Sequence, residues 1–397
     1  MTLRGRGATR QHTGEDAMST AVGPPPDLRA APERERGAER GSEPVGVPAG
    51  DLRLRVAAAL DDFLATHLDR LRVVGDELGD LDDVVRSFVM CGGKRLRPLF
   101  AYWGAVAAGG TDDDALVRAA ASLELLHAFA LIHDDLMDAS DLRRGRPAAH
   151  RQLEALHADA AWEGDPVRFG RSVAILVGDL LMVLSEQMLA TSGLAPEALD
   201  RARSVYATMR LELMAGQYLD IASQARRVTS VERALRIARY KSGAYTVEAP
   251  LHLGAAVAGA PPEVFGAYTA FALPLGEAFQ LRDDVLGVFG NQAVTGKPSG
   301  DDLREGKRTA LVALARERAS QKQRACLGRW LGAAQLDEQG LAELRQIIVG
   351  TGALETVEAM IADRTTRSLA VVDAAPLTGT GRRALRDLAV AATVRSF

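Results

Sequence analysis

Two short stretches of this chain close long apolar runs with paired carboxylates, and any fold it adopts must find those charges a partner. The first is His133-Asp134-Asp135-Leu136-Met137-Asp138, preceded by apolar sequence from Leu123 to Ile132. The second is Arg282-Asp283-Asp284-Val285-Leu286-Gly287, preceded by Phe271 to Leu281. On a helix, Asp134 and Asp138 project from one face, one turn apart. Unpaired charge at the end of a buried helix is costly. Two such ends facing each other form an oxygen-rich cage of the kind that holds Mg²⁺ with a few carboxylates and substrate phosphates.

The rest of the chain reads as helix. Leu52, Val56, Leu60, Phe63, Leu64 and Leu68 recur at three and four, the stripe of an amphipathic helix. Thr111-Asp112 resembles a cap for the long helix that runs to the first acid stretch, and Asp141 to His150 reads as a loop. Helical stretches follow over Ser172 to Ala190, Pro196 to Ala222, Val231 to Val257 and Pro261 to about Val288. Phe289 to Glu305 is a Gly/Pro loop, and Leu311 to Val394 holds about four shorter helices. No β alternation stands out, and aromatics at 5% with abundant Ala, Leu and Arg favour helix over sheet. One all-α domain is expected over 51–397, because no Pro/Gly linker divides it. Residues 1–50 carry Arg, Glu, Gly and Pro without apolar periodicity and are expected to be a disordered tail, with Met18 as an alternative start.

A net charge of −4 argues against a nucleic-acid binder. Cys91 and Cys326 are too few for a disulfide framework and read as small core residues. Charge or Gly interrupts each apolar run, so no membrane span is expected, and the chain reads as cytoplasmic.

An isolated DDxxD pattern is equally compatible with a solvated helix end. Here Asp141-Leu142-Arg143-Arg144-Gly145-Arg146-Pro147 follows at once, placing guanidinium donors beside the carboxylates. Bidentate cations next to a divalent metal are what a diphosphate requires. Gly92-Gly93-Lys94-Arg95-Leu96-Arg97-Pro98 is a second basic group, with three cations in four positions. Taken alone, that segment fits a solvated basic turn as well as an anion site. Lys297 and Lys307, taken alone, are ordinary loop lysines. His127 stands seven residues before Asp134 and shares its helix face, where it serves either a packed core or a polar pocket. Glu124 and Gln217 are polar positions inside apolar helices.

Together these segments resemble the trans-isoprenyl diphosphate synthases (polyprenyl synthetases), most of all bacterial geranylgeranyl diphosphate synthases. The GGKRxRP segment is Gly92 to Pro98, the first aspartate-rich motif Asp134 to Asp138, and the RRGxP loop Arg143 to Pro147. The second motif, preceded by FQ, is Phe279 to Asp284, and Gly296-Lys297-Pro298 with Gly306-Lys307-Arg308-Thr309 matches the lysine loop. The resemblance implies an isoprenoid-synthase-type helical bundle with a central substrate cavity, acting as a homodimer. It implies a prenyltransferase that condenses isopentenyl diphosphate with allylic diphosphates (dimethylallyl, geranyl, farnesyl) in trans.

By resemblance, Asp134, Asp138 and Asp283 coordinate a Mg²⁺ cluster bridging the allylic diphosphate, supported by Asp135 and Asp284. Arg143, Lys241, Lys297 and Lys307 contact that diphosphate, and Lys94, Arg97, His127 and Arg144 hold the diphosphate of isopentenyl diphosphate. Gln280 and the Lys241-Ser242 pair lie near the developing carbocation; the family usually has Lys-Thr, and Ser keeps the hydroxyl. Phe129 and Ala130, five and four residues before the first aspartate, control product length in the family. One aromatic and one small residue resemble geranylgeranyl synthases, with a farnesyl or longer product as the alternative. The second motif departs from the pattern at Gly287, where the family often has Asp. Two other readings stay open: a terpene cyclase, which shares the bundle and DDxxD, and a non-catalytic synthase subunit.

Overall fold

The computed structural model describes residues 49–226, 230–291 and 299–393. The tail expected over 1–50 therefore lies outside the described residues, except Ala49 and Gly50, which open the first helix.

The described residues are helical almost throughout: α1 Ala49–Arg72, α2 Asp80–Met90, α3 Leu96–Ala107, α4 Asp114–Met137, α5 Ala149–Asp159, α6 Pro166–Ala190 and α7 Pro196–Ala225. Then come α8 Val231–Ile237, a π-helix Ala238–Glu248, α9 Ala249–Ala258, α10 Pro262–Phe289 and the short α11 Asp301–Glu305. The C-terminal part is α12 Ala310–Arg318, α13 Gln321–Trp330, α14 Glu338–Gly350, α15 Ala353–Ala374 and α16 Gly379–Thr393.

Two apolar cores organise these helices. The larger joins α1, α3, α4, α6, α7, α9 and the first half of α10, around Phe100, Tyr102, Leu125, Tyr206 and Phe271. The smaller joins the second half of α10 to α12, α14 and α15, through Leu281, Val285, Leu311, Leu344 and Val357. α10 thus belongs to both, and its acidic end sits where the two cores meet. α4 packs mainly on α6, and α10 on α15 and the π-helix. The last crossing needs two facing glycines: a Cβ on Gly276 would lie 2.5 Å from the Gly243 Cα.

Several expectations need correction. The helix cap before α4 is Asp113, whose carboxylate accepts from the Leu116 amide, rather than Thr111-Asp112. The loop after the first acid stretch contains a two-residue antiparallel ribbon, Leu142–Arg143 against Arg146–Pro147. The single helix expected over Val231 to Val257 is three pieces with a π-helix in the middle. An eleven-residue segment is too short for apolar periodicity to separate a π pitch from an α pitch. Pro250, which has no N–H to give, stands in the first turn of α9, where the wide pitch ends. Five helices, not four, follow residue 310, and part of the Gly/Pro loop is α11. Among the described residues two helices, α4 and α6, are long and apolar enough to cross a membrane, contrary to the sequence reading. α4 is mostly core, whereas α6 leaves Ile175, Leu176 and Val183 on the surface. Both cysteines are half-buried rather than core residues.

Candidate active site

A cavity of about 780 Å³ opens among α3, α4, α7, the π-helix and α10. Its wall includes both Asp134 and Asp283, so the two distant acid stretches face one space.

Around Asp134 the charges are dense. Lys241 Nζ lies 3.0 Å from Asp134 Oδ1 and 2.6 Å from Asp220 of α7, and Gln217 Nε2 donates to Asp134 at 3.1 Å. The Arg143 guanidinium is 3.7 Å from Asp134 and grips the fully buried Asp135 through several hydrogen bonds. Burial alone would raise the Asp134 pKa, but Lys241, Lys307 and Arg143 outweigh it and hold the carboxyl well below its usual range. Asp138 is pushed the other way, to about 6, by burial and by the Asp134 charge. Asp284 is buried and raised to about 8, mainly by desolvation, and it accepts a hydrogen bond from Gln280 at 2.7 Å. Asp284 lines the cavity and orients the Gln280 amide, with the Lys307 charge acting against its desolvation.

Lys307 ties the lysine loop to the first acid stretch. Its Nζ lies 3.3 Å from Asp138, 3.5 Å from Asp302 and 2.6 Å from Glu305. Ser140 Oγ donates to Glu305 at 2.5 Å, a second link between the same segments. Burial opposes the charge on Lys241 and on Lys307, yet the surrounding carboxylates raise both pKa values.

A second, mainly basic region lies on the same cavity, with Glu124 as an acid on its wall. Arg97 donates to Thr246 Oγ1 at 2.8 Å and lies over the Tyr245 ring, 4.3 Å from its centroid. Arg144 donates to the Cys91 carbonyl at 2.9 Å, and burial, reinforced by Arg95, Arg143 and Arg97 against the pull of Glu124, lowers its pKa. Burial, followed by Arg97 and Arg144, keeps His127 neutral, and its Nδ1 has no hydrogen-bond partner. Lys94 lines this end and reaches the Ala391 carbonyl at 3.3 Å. Arg95 also lines this end, but it is buried and engaged, 2.5 Å from Glu124 on the same wall and donating to the Val89 carbonyl.

The residues expected from sequence are largely brought together. Lys94, Arg97, His127, Ala130, Asp134, Arg143, Arg144, Lys241, Ser242, Gln280, Asp283, Asp284 and Lys307 all line the cavity. Asp135 and Asp138 stand behind that wall, held by Arg143 and Lys307. Phe129 does not line it: the ring is buried and packs edge-on against His133, 4.8 Å between centroids, leaving only Ala130 of the expected pair on the wall. Lys297 lies outside the described residues. The sequence reading missed Asp220, Asp302 and Glu305. The one signal for Asp220 was a polar pair one helical turn apart, Gln217 and Asp220, beside Gly216.

The donor set fits a hard divalent cation. It is all oxygen, and the buried Asp138 Oδ2 makes no hydrogen bond and faces only the Lys307 ammonium, 3.3 Å away. Among the described residues no three carboxylates already converge at ligand distance; ammonium groups stand between them. Mg²⁺ would be held by Asp134, Asp138 and Asp283.

An all-helical bundle whose cavity carries an acidic cluster at one place and a mainly cationic cluster at another defines a diphosphate-handling enzyme. A profile of the polyprenyl synthetase family matches residues 80–348. The chain is 35% identical over 301 residues to a geranylfarnesyl diphosphate synthase of Aeropyrum pernix, covering 75% of this chain and 85% of that one. It is 33% identical over 270 residues to a geranylgeranyl diphosphate synthase of Saccharolobus solfataricus, covering 68% and 76%. Among solved structures, the geranylgeranyl pyrophosphate synthase of Corynebacterium glutamicum, complexed with isoprenyl diphosphate and magnesium, superposes with a TM-score of 0.85. That pair is 42% identical over 88% of this chain and 100% of the other. The chain belongs to the polyprenyl synthetase family.

Proposed function

We propose that the protein is a Mg²⁺-dependent trans-prenyltransferase that condenses isopentenyl diphosphate with an allylic diphosphate, with geranylgeranyl diphosphate as its main product. The observation that carries this reading is the pairing of two anion subsites on one cavity, one rich in carboxylates and one dominated by cations, whose acid Glu124 is already held by Arg95. A cyclase acts on one diphosphate and has no use for the Lys94, Arg97, His127 and Arg144 group. A non-catalytic subunit has no use for either.

Asp134, Asp138 and Asp283 would hold a cluster of Mg²⁺ ions, which supplies positive charge to the departing allylic diphosphate. Arg143, Lys241 and Lys307 add fixed charge around the same group, and Lys297 is assigned there by resemblance. Arg97 and Arg144 grip the second diphosphate, and His127, kept neutral, donates an N–H to it. Ser242, Gln280 and the apolar wall enclose the carbon centre, so the allylic cation meets a double bond before water. No protein base is assigned; the released diphosphate takes the proton.

Relatives differ in product, from farnesyl to heptaprenyl diphosphate synthases. The geranylgeranyl assignment rests on the small Ala130 at the wall with Phe129 packed behind it.

We also infer a homodimer. Leu211, Met214, Tyr218 and Ile221 of α7 are exposed at intervals of three and four, an apolar stripe with no partner in the described chain. Assembly would cover it, together with the exposed residues of α6, and the enzyme is placed in the cytoplasm. Residues 51–397 form its single catalytic domain.

Purified protein incubated with isopentenyl diphosphate, Mg²⁺ and each allylic primer tests the assignment. A linear C20 diphosphate is the expected product. A cyclic hydrocarbon from one prenyl substrate, or no turnover, would refute it.

A further inference from the structure

The cations on the cavity wall are held in two different ways. Lys241 and Lys307 each sit between carboxylates, and Arg143 and Arg95 grip Asp135 and Glu124. Among the described residues Arg97 is held by neutral groups alone. Its Nη2 donates to Thr246 Oγ1 at 2.8 Å, and its guanidinium lies over the Tyr245 ring, 4.3 Å from the centroid. A hydroxyl and an aromatic face fix a guanidinium in place without neutralising it, so its charge stays available to an anion. Arg97 Nε is buried and makes no hydrogen bond, and neither does the buried Nδ1 of His127, whose ring is 6.3 Å from that of Tyr245. Buried polar atoms are rarely left so, and a bound anion would complete both.

Thr246 is placed to act as a fixed post. It is fully buried, lines the cavity, and stands five residues after Lys241 in the π-helix Ala238–Glu248. A π-helix bonds residue i to i+5, which brings 246 close to the line of 241; at α pitch five residues turn ~500°, about 140° off that face. The wide pitch lets one element serve both subsites, with Lys241 beside Asp134 and Thr246 beside Arg97. That element has backbone against it on two sides: a Cβ on Gly216 would lie 2.6 Å from Lys241 N, and one on Gly243 would lie 3.0 Å from Gly276 Cα. The side chain itself is stiff, because branching at Cβ restricts χ1.

We propose that Thr246 is the positioning residue of the isopentenyl diphosphate subsite: its hydroxyl holds the Arg97 guanidinium where the non-reacting diphosphate binds. The proposal rests on the synthase reading and goes beyond it, since it gives the π-helix a task at each end. The bond that breaks belongs to the allylic partner, so the grip of Arg97 on the other diphosphate is the same before and during reaction. Losing such an interaction raises KM and spares kcat.

The test uses the full chain, steady-state prenyl transfer with Mg²⁺ and farnesyl diphosphate as primer, and calorimetric titration of isopentenyl diphosphate without a primer. Thr246→Val keeps the branched shape and removes the oxygen. It is expected to raise KM and Kd for isopentenyl diphosphate about tenfold, the scale of a lost hydrogen bond to a charged group. The kcat and the KM for farnesyl diphosphate are expected to stay within about twofold. Thr246→Ser returns the oxygen and is expected to come within about threefold of wild type. In an Arg97→Gln background Thr246→Val is expected to add less than about twofold, because the two residues act through one contact. An unchanged KM for isopentenyl diphosphate in Thr246→Val would overturn the proposal, as would an equal rise for both substrates, a Ser variant no better than Val, or a full tenfold effect without Arg97. Should Thr246→Val not fold, Thr246→Ala against Thr246→Ser carries the same comparison. A wild-type protein that makes product while its variants show none of these effects leaves the synthase reading intact. A wild-type protein that forms no product from any primer refutes both.

Discussion

Glu124→Gln isolates the charge that anchors the basic cluster. Glu124 and Arg95 are both buried, 2.5 Å apart, and Arg95 also donates to the Val89 carbonyl at 2.6 Å. Arg95 precedes α3 with a left-handed backbone, φ 53°, so this pair also sets the entry of the segment that carries Lys94 and Arg97. At an effective dielectric of ~20, opposite charges about 3 Å apart attract by roughly 5 kcal/mol. Gln keeps one hydrogen bond to the guanidinium, which offsets part of that loss. The expected destabilisation is about 3–4 kcal/mol, in the range for removing one partner of a buried ion pair. With an unfolding entropy of ~2.1 cal/mol/K per residue over roughly 350 folded residues, that lowers Tm by about 5 °C. Urea unfolding followed by circular dichroism, at one fixed protein concentration, gives the free energy directly. Replacing both partners, Arg95→Met with Glu124→Leu, is expected to recover most of it, because no charge is then left unpaired. A Glu124→Gln protein within about 0.5 kcal/mol of wild type would show that the pair carries no net stabilisation and refute the argument.

Ala130→Phe should narrow the cavity wall and shift the product from C20 towards C15, read by chromatography of the dephosphorylated alcohols; an unchanged product would remove Ala130 as a determinant of length. Lys241→Gln should lower kcat on the order of 100-fold, because Asp134 loses its nearest cation and the allylic diphosphate a fixed charge, while circular dichroism stays unchanged; a loss under about threefold would exclude that role. His127, His150 and His252 all have pKa values depressed first by burial, so the unfolded chain takes up protons below about pH 6.5 that the folded one refuses. Their contribution is fully present above that pH and is lost as pH falls, with a slope of at most ~1.4 kcal/mol per pH unit for each histidine; denaturant titrations between pH 7.5 and 5 that show flat stability would contradict it.

The chemistry of the site was legible in sequence where one short segment carries it. Asp134 to Asp138, Gly92 to Pro98 and Arg143 to Pro147 each announce their role through residue type and spacing, and the cavity gathers members of all three. What was hidden depends on packing between segments. Asp220 matters because α7 crosses the π-helix where Lys241 can reach it, and nothing near residue 220 encodes that crossing. Asp302 and Glu305 read as loop acids until Lys307 is seen to join them to Asp138. Phe129 and Ala130 are neighbours in sequence, yet adjacent helical positions point about 100° apart, so one faces the core and the other the cavity. Periodicity gave the long helices but not their joints, since the ends and pitch around Ala238–Glu248 are set by what packs on them.

That wide-pitched segment has a consequence for chain length. Deleting one residue between 242 and 248 would let α-type bonding run through and would rotate the preceding part, Lys241 included, by about 100° against α9 and α10. Lys241 would swing off its two carboxylates although nearly every neighbour kept its identity. The register of this stretch, more than its composition, decides whether the ammonium arrives, so a single-codon loss here should silence the protein as thoroughly as removing the lysine.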